Sequence, residues 1–199
     1  MNKINNKHKI LYFYTFHILN IILFIMKLKI CHHNVRHWGI HKNMLSNYYL
    51  FHDFDILTIN SHGLNSENKE FIKIFGYSNI TTGNQLHAGS AILLKSKYTH
   101  THYRSNIDNN SSYSIINTDK GKLIIYTFYR PPRVKLLSFF ESNKILQLNL
   151  PVIILTDANL HHKDFGHKNN DDLGNQFKNF TNKNNLLFWA QNLIHTFQQ

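Results

Sequence analysis

The chain has 199 residues, 42% of them hydrophobic, a composition that supports one globular domain with at most a small appendage. Lys and Arg outnumber Asp and Glu by 22 to 11, and the net charge of +11 favours a polyanionic partner such as nucleic acid without specifying one. Cys31 is the only cysteine, which excludes an intramolecular disulfide and favours a cytoplasmic or nuclear location.

Residues 10–26 form a long apolar run that three lysines precede. A positive flank before an apolar run is the outline of a signal peptide or membrane anchor, although this run is short for a spanning helix and His17 and Asn20 interrupt it. Three interpretations remain open: a membrane anchor, a helix docked on the domain, or an extension upstream of Met26 without a function. We therefore assign residues 1–26 as an N-terminal extension and residues 27–199 as the domain.

The rest of the chain alternates between strand and helix patterns, which predicts an α/β fold with a mixed sheet. A turn at residues 119–121 indicates a hairpin between two of the strands. The predicted strands are residues 28–33, 55–60, 90–94, 113–117, 122–129, 152–155 and 186–189, and the predicted helices are residues 41–52, 67–75, 134–148 and 176–185.

Polar side chains follow four of the apolar strands, at Asn34, residues 60–62, residues 129–132 and residues 157–159. Ligands of open α/β sheets collect at the carboxyl ends of strands, so these side chains are expected to share one site. Asp157 and Asn159 point to the same side of an extended chain, where a carboxylate and an amide suit phosphate, water or a cation. A strand that ends in an ordinary Asx turn is the alternative.

These segments, in this order and at these separations, resemble the endonuclease/exonuclease/phosphatase superfamily with its DNase I-like α/β sandwich. The likeness is closest to the endonuclease domain of non-LTR retrotransposons, which is encoded beside a reverse transcriptase. It rests on KICHHNVRHWG at residues 29–39, DILTINSHGL at 55–64, GSAILLK at 89–95, YRPP at 129–132 and DANLHHKDFG at 157–166.

The resemblance implies Mg²⁺-assisted hydrolysis of a DNA phosphodiester, with a reverse transcriptase module as a possible partner. It implies that Asn34 orients the carboxylate and the phosphate, that Tyr129 contacts the scissile phosphate, that Asp157 positions or deprotonates the attacking water, and that Asn159 hydrogen-bonds the phosphate. Arg130 is expected to hold a backbone phosphate, or else to be an ordinary solvated arginine beside a rigid turn.

Two departures from the family pattern concern the metal site. Ser61 stands where the family has the glutamate that is its main metal ligand, which leaves Asp157 as a weak ligand, because Mg²⁺ prefers anionic oxygen. The family's Ser-Asp-His motif is absent, and residues 193–197 resemble an earlier strand of the family. The chain therefore reads as a truncated, divergent copy that lacks the last strands of the sandwich, and we expect weak or lost hydrolysis.

Two alternatives to the enzyme follow, a catalytically silent nucleic-acid-binding domain and a membrane-tethered remnant. His62 is expected to be a loop histidine rather than a metal ligand. The histidines at 161, 162 and 167 form a poor zinc set, since adjacent side chains point apart in an extended segment and no cysteine is near.

Overall fold

A computed structural model describes residues 9–13, 16–23, 26–64, 72–83, 88–105, 110–130 and 144–190. Eleven strands and two α-helices with both ends described lie within these residues, together with a helical segment at 144–147 and a 3₁₀ turn at Lys163–Phe165. The strands are β1 (Lys9–Phe13), β2 (Phe16–Leu23), β3 (Met26–Asn34), β4 (Ile56–Asn60), β5 (Tyr77–Thr82), β6 (Ser90–Lys95), β7 (His100–Arg104), β8 (Ser111–Thr118), β9 (Gly121–Tyr129), β10 (Val152–Asp157) and β11 (Leu187–Ala190). The helices are α1 (Trp38–His52) and α2 (Asp172–Lys183).

The strands form two mixed sheets. One sheet has six strands in the order β11-β1-β10-β9-β8-β7, and the other has five in the order β2-β3-β4-β6-β5. Each sheet contains a parallel pair whose carboxyl ends contribute to the candidate functional site. These pairs are β9 with β10 in the first sheet and β3 with β4 in the second. Parallel pairing brings the carboxyl ends of both strands to the same edge of their sheet.

Aliphatic side chains fill the space between the two sheets, and the helices cover their outer faces. Ile30 and Ile56 of one sheet pack with Ile125 and Leu155 of the other. Trp38 and Tyr49 of α1 cover the outer face of the five-stranded sheet, while α2 covers the six-stranded sheet through Phe177 and Phe180. The result is the predicted α/β sandwich of two mixed sheets flanked by helices.

Helix and strand ends follow local chemistry. Asp171 caps α2 by accepting the backbone N–H of Gly174 at 2.5 Å, and α1 ends at Asp53, whose φ of 53° stops the helix. The predicted hairpin is confirmed, because Thr118 pairs with Gly121 across a two-residue turn, and the φ of 113° at Gly121 favours glycine.

The structure changes several predicted elements. The helix expected at 67–75 is not seen in its described part, since residues 72–76 form a loop and a turn, and the remainder lies outside the described residues. Of the helix expected at 134–148, residues 144–148 are described; residues 144–147 are helical and residue 148 is in a turn. Strands β5 and β7 were not predicted, because their short polar sequences lack a clear alternation of apolar residues.

The segment before the boundary expected at residue 26 forms two strands, one in each sheet. Strand β1 lies inside the six-stranded sheet, parallel to β10 on one side and to β11 on the other. Strand β2 pairs antiparallel with β3 along its whole length. Residues 9–13 and 16–23 are therefore strands of the two sheets, which corrects the docked-helix interpretation. No helix among the described residues has the length and apolar character that crossing a bilayer requires.

Candidate functional site

One pocket of about 610 Å³ lies where the strand ends of the two sheets meet. It is lined by five of the six residues singled out from the sequence, and Arg130 is the exception; the five are Asn34, Ser61, Tyr129, Asp157 and Asn159. In the six-stranded sheet, Asp157 is the register partner of Tyr129 on β9. In the five-stranded sheet, Asn34 is the register partner of Asn60 on β4. The structure therefore brings the four strand ends together at one pocket.

Two asparagines connect the sheets at this edge. The side-chain amide of Asn34 donates a hydrogen bond to a carboxylate oxygen of Asp157. Asn60, which is fully buried, donates to the carbonyl of Phe128 at 3.0 Å and accepts the hydroxyl of Thr127 at 3.2 Å. Since buried polar groups are costly unless they are paired, these bonds hold the two walls in one relative position.

Arg130 is turned inward and holds the turn that carries Asp157 and Asn159. Only 4% of the residue is exposed. Its Nε donates to the carbonyl of Ala158 at 2.6 Å and its guanidinium also donates to the carbonyl of Asn159. In return, the Asn159 amide donates to the Arg130 carbonyl at 2.7 Å. These contacts position the turn, and the phosphate contact expected of Arg130 stays a prediction.

The turn itself has an unusual backbone. Asn159 has a φ of 47°, in the left-handed region that asparagine tolerates better than most residues. Its backbone N–H faces the other carboxylate oxygen of Asp157 at 3.4 Å. The same residues thus form the Asx turn of the simpler interpretation and one wall of the pocket, so the two interpretations do not exclude each other.

Burial dominates the titration of both acidic groups in the pocket. It raises the pKa of Asp157, while hydrogen bonds from Asn34 and Asn159 and the charges of Arg130 and Arg36 act in the opposite direction. Burial also raises the pKa of Tyr129, against hydrogen bonds with Ser61 and Asn159. The Tyr129 phenol is therefore neutral at neutral pH and able to donate a hydrogen bond.

Ser61 supplies a hydroxyl at the position where a glutamate was expected, and it lines the same pocket as Asp157. The neighbouring His62 points away from solvent and has a structural role. Its Nδ1 accepts the backbone N–H of Leu64 at 3.0 Å, so its proton lies on Nε2, which donates to the carbonyl of Thr82 at 2.7 Å. A side chain at Gly89 would clash with this ring, since its Cβ would lie 2.3 Å from Nε2.

The three later histidines divide into two kinds. His162 is buried and accepts the backbone N–H of Asp164, which caps a short 3₁₀ turn at Lys163–Phe165. His161 and His167 line the pocket instead, with stacked rings. Within the described residues, no group of three or more His, Cys, Asp or Glu side chains is placed to hold a metal ion.

The opposite wall of the pocket was not predicted from the sequence. It consists of the segment that leads into α1 and the first turn of that helix, and it contributes Arg36, His37, Ile40 and His41. The backbone N–H of Arg36 donates to the Asn34 side chain at 3.1 Å. The proximity of Arg36 to Asn34 in the sequence was the one available signal for this wall.

Comparisons with known proteins agree with this fold. Residues 123–199 match the family described as endonuclease-reverse transcriptase. The endonuclease domain of TRAS1, a telomere-specific non-LTR retrotransposon, is 17% identical with a TM-score of 0.63 over 78% of this chain and 69% of that domain. No match is found among the curated proteins.

Two bacterial structures are similar over less than two thirds of their own length. The mannosyl-6-phosphatase Bt3783 of Bacteroides thetaiotaomicron is 18% identical with a TM-score of 0.50, over 67% of this chain and 66% of that protein. The 3′-5′ exonuclease NExo of Neisseria meningitidis is 14% identical with a TM-score of 0.50, over 66% and 57%.

Proposed function

Because this chain has the DNase I-like fold of the endonuclease/exonuclease/phosphatase superfamily, we propose that its pocket binds a nucleic acid phosphodiester, with DNA as the substrate, and hydrolyses it weakly. The observation that supports this proposal is the convergence of Asp157, Asn159, Tyr129 and Asn34 on one pocket. A reverse transcriptase module is the partner that the matched family description suggests, and it stays a prediction.

The proposed chemistry assigns one task to each side chain. Asp157 accepts a proton from the attacking water, for which its raised pKa brings it nearer to the working pH. The neutral Tyr129 phenol donates a hydrogen bond to a phosphate oxygen as negative charge develops there. The Asn159 amide donates to the carbonyl of Arg130 and shares a hydrogen bond with Tyr129, and in this proposal the phosphate replaces the bond with Tyr129.

The described residues do not fit a firmly held Mg²⁺ ion. The pocket offers one carboxylate, Asp157, and one of its oxygens already accepts a hydrogen bond from Asn34. The other side-chain oxygens that line the pocket belong to Ser61, Tyr129, Asn34 and Asn159, and at neutral pH they carry no charge. Mg²⁺ binds through anionic oxygens with near-octahedral geometry, so a single carboxylate holds it weakly. We therefore assign no step of the reaction to a metal ion.

The poor fit of the pocket to Mg²⁺ favours a second candidate function, binding of nucleic acid without cleavage. In that case the Arg36 guanidinium neutralises phosphate charge, His37 and His41 of the same wall lie beside the phosphate, and Asp157 has only a structural role. Binding of this kind releases counterions, so the affinity falls steeply as salt rises.

A plasmid-nicking assay with Mg²⁺, together with DNA-binding measurements at several salt concentrations, separates the two functions. Loss of nicking in Asp157→Asn by about 10²- to 10⁴-fold supports hydrolysis, because that is the usual contribution of a general base. Asp119→Asn in the exposed β8–β9 turn is the matched control and should nick normally. Nicking that survives in Asp157→Asn contradicts the assignment of Asp157. Salt-dependent binding without nicking by the wild type supports the second function.

A further inference from the structure

Two histidine rings stack on each other at the rim of the pocket. The ring centroids of His161 and His167 lie 4.7 Å apart, with 28° between the ring planes. Both residues line the pocket that contains Asp157. His161 is exposed and His167 is half-buried, so a solute that enters the pocket can reach the pair.

The segment that carries these rings is held in place by the start of α2. The backbone N–H of Asp171 donates to the carbonyl of His161 at 2.8 Å, and the N–H of His167 donates to the carbonyl of His162 at 3.2 Å. A Cβ on Gly174 would lie 2.0 Å from the His161 carbonyl oxygen, so the helix packs directly against this segment. The stack is therefore formed before any ligand binds, which lowers the entropic cost of binding.

Positive charge is disfavoured on His167 in the free protein. Burial lowers its pKa and the neighbouring His161 lowers it further, whereas the carboxylate of Asp171 acts in the opposite direction. An anion beside the ring would reverse this balance, because an opposite charge within about 4–6 Å raises an imidazole pKa by roughly one to three units.

Among the described residues, Asp157 is the one acidic side chain that lines the pocket, and Asp172 at the start of α2 is exposed and does not line it. Asp157 is at the strand ends within the pocket, and the carboxylate of Asp164 is paired with Lys178 at 2.7 Å. The remaining charged or titratable groups of this loop and of the facing wall are basic, namely Lys163, Lys168, Arg36, His37 and His41.

We propose that the His161–His167 pair is a second phosphate subsite, which takes up a proton when it binds a phosphate group next to the one at Asp157. This inference rests on the proposed function, since it requires a nucleic acid strand in the pocket. The volume of about 610 Å³ lies within the range of about 300–1,000 Å³ that is usual for ligand pockets. Proton uptake couples affinity to pH, so binding tightens as the pH falls through the range in which histidine titrates.

The test measures the affinity of the full chain for a short labelled DNA duplex by fluorescence anisotropy, and a gel run after each titration checks that the duplex is intact. At about pH 5.5 the wild type should bind about tenfold more tightly than at about pH 7.5, because one pKa unit of coupling corresponds to a factor of ten. His167→Phe keeps a ring against His161 but takes up no proton, so most of this gain should disappear. His52→Phe, at the far end of α1, is the matched control and should keep the gain.

Each outcome supports or contradicts the inference. Equal affinity at both pH values overturns it, as does an undiminished gain in His167→Phe or loss of the gain in His52→Phe. Calorimetry of the wild type in two buffers of different ionisation enthalpy counts the protons directly, so the test does not depend on how a variant folds; zero uptake overturns the inference. If nicking fails while proton-coupled binding persists, the subsite stands and hydrolysis does not. Absence of DNA binding at either pH contradicts both.

Discussion

Replacing Arg130 by glutamine distinguishes two roles of this residue. The sequence predicts a contact with a substrate phosphate, whereas the observed contacts indicate that Arg130 holds the turn after β10. If Arg130 holds a substrate phosphate, Arg130→Gln should weaken DNA binding and leave the folded state almost unchanged. If it holds the turn after β10, the same variant should destabilise the protein, because its guanidinium donates to the carbonyls of Ala158 and Asn159. We expect the second result.

The expected loss follows from those bonds. Hydrogen bonds to charged groups contribute about 1.5–3 kcal/mol each, and a buried carbonyl left without a donor costs about 1–3 kcal/mol. Partial replacement by the glutamine amide leaves a net loss of about 3 kcal/mol in the free energy of unfolding. This is a large part of the total stability of about 5–15 kcal/mol that is usual for a domain.

Urea unfolding followed by circular dichroism measures the loss. With a slope of about 2 kcal/mol per molar urea, the midpoint should fall by roughly 1.5 M. Arg130→Lys keeps the charge but reaches fewer acceptors, so its midpoint should lie between those of the wild type and Arg130→Gln. Arg104→Gln, on the exposed end of β7, should change the free energy by no more than about 0.5 kcal/mol. The reasoning is refuted if Arg130→Gln is as stable as Arg104→Gln while its DNA affinity falls.

Three further predictions concern the strand ends and the N-terminus. Because burial raises the pKa of Asp157, its charged form destabilises the fold as the pH rises through that pKa. Asp157→Asn should therefore have a higher melting temperature than the wild type at neutral pH, and the same melting temperature below the ordinary aspartate pKa. Equal melting temperatures at neutral pH would contradict this. Ser61→Glu should increase Mg²⁺ affinity about tenfold or more over Ser61→Gln in calorimetry, since it adds a second carboxylate to the pocket, and equal affinities would contradict this. A chain that starts at Met26 lacks β1, an interior strand, and should lose its cooperative urea transition; an unchanged midpoint would show that β1 is dispensable.

The strands that the sequence predicted well are those with continuous apolar runs. Strands β4, β9 and β10 lie in the interiors of their sheets with a covered layer on each side, so both of their faces must be apolar, and that requirement is visible in single residues. The polar residues that end the strands were expected to meet because ligands of open α/β sheets collect at the carboxyl ends of strands. That rule identified Asn34, Tyr129, Asp157 and Asn159, whereas the family resemblance singled out Ser61 and suggested the role of each residue.

The N-terminal strands could not be predicted, because an apolar run of this length is compatible with a helix, an anchor or a buried strand. What makes β1 a strand is its pairing with β10 and β11, which lie at the other end of the chain. Pairing of this kind depends on which elements meet in space, and no local sequence pattern predicts it.

The sequence by itself determined the α/β class and the strand ends that supply polar groups. The tertiary structure decided that Arg130 turns inward, that Asn60 connects the sheets, and that the start of α1 forms the opposite wall beside stacked histidines. The difference is physical. Apolar periodicity is set by the layers that cover a strand, whereas the direction of a polar side chain is set by donors and acceptors that only folding brings near.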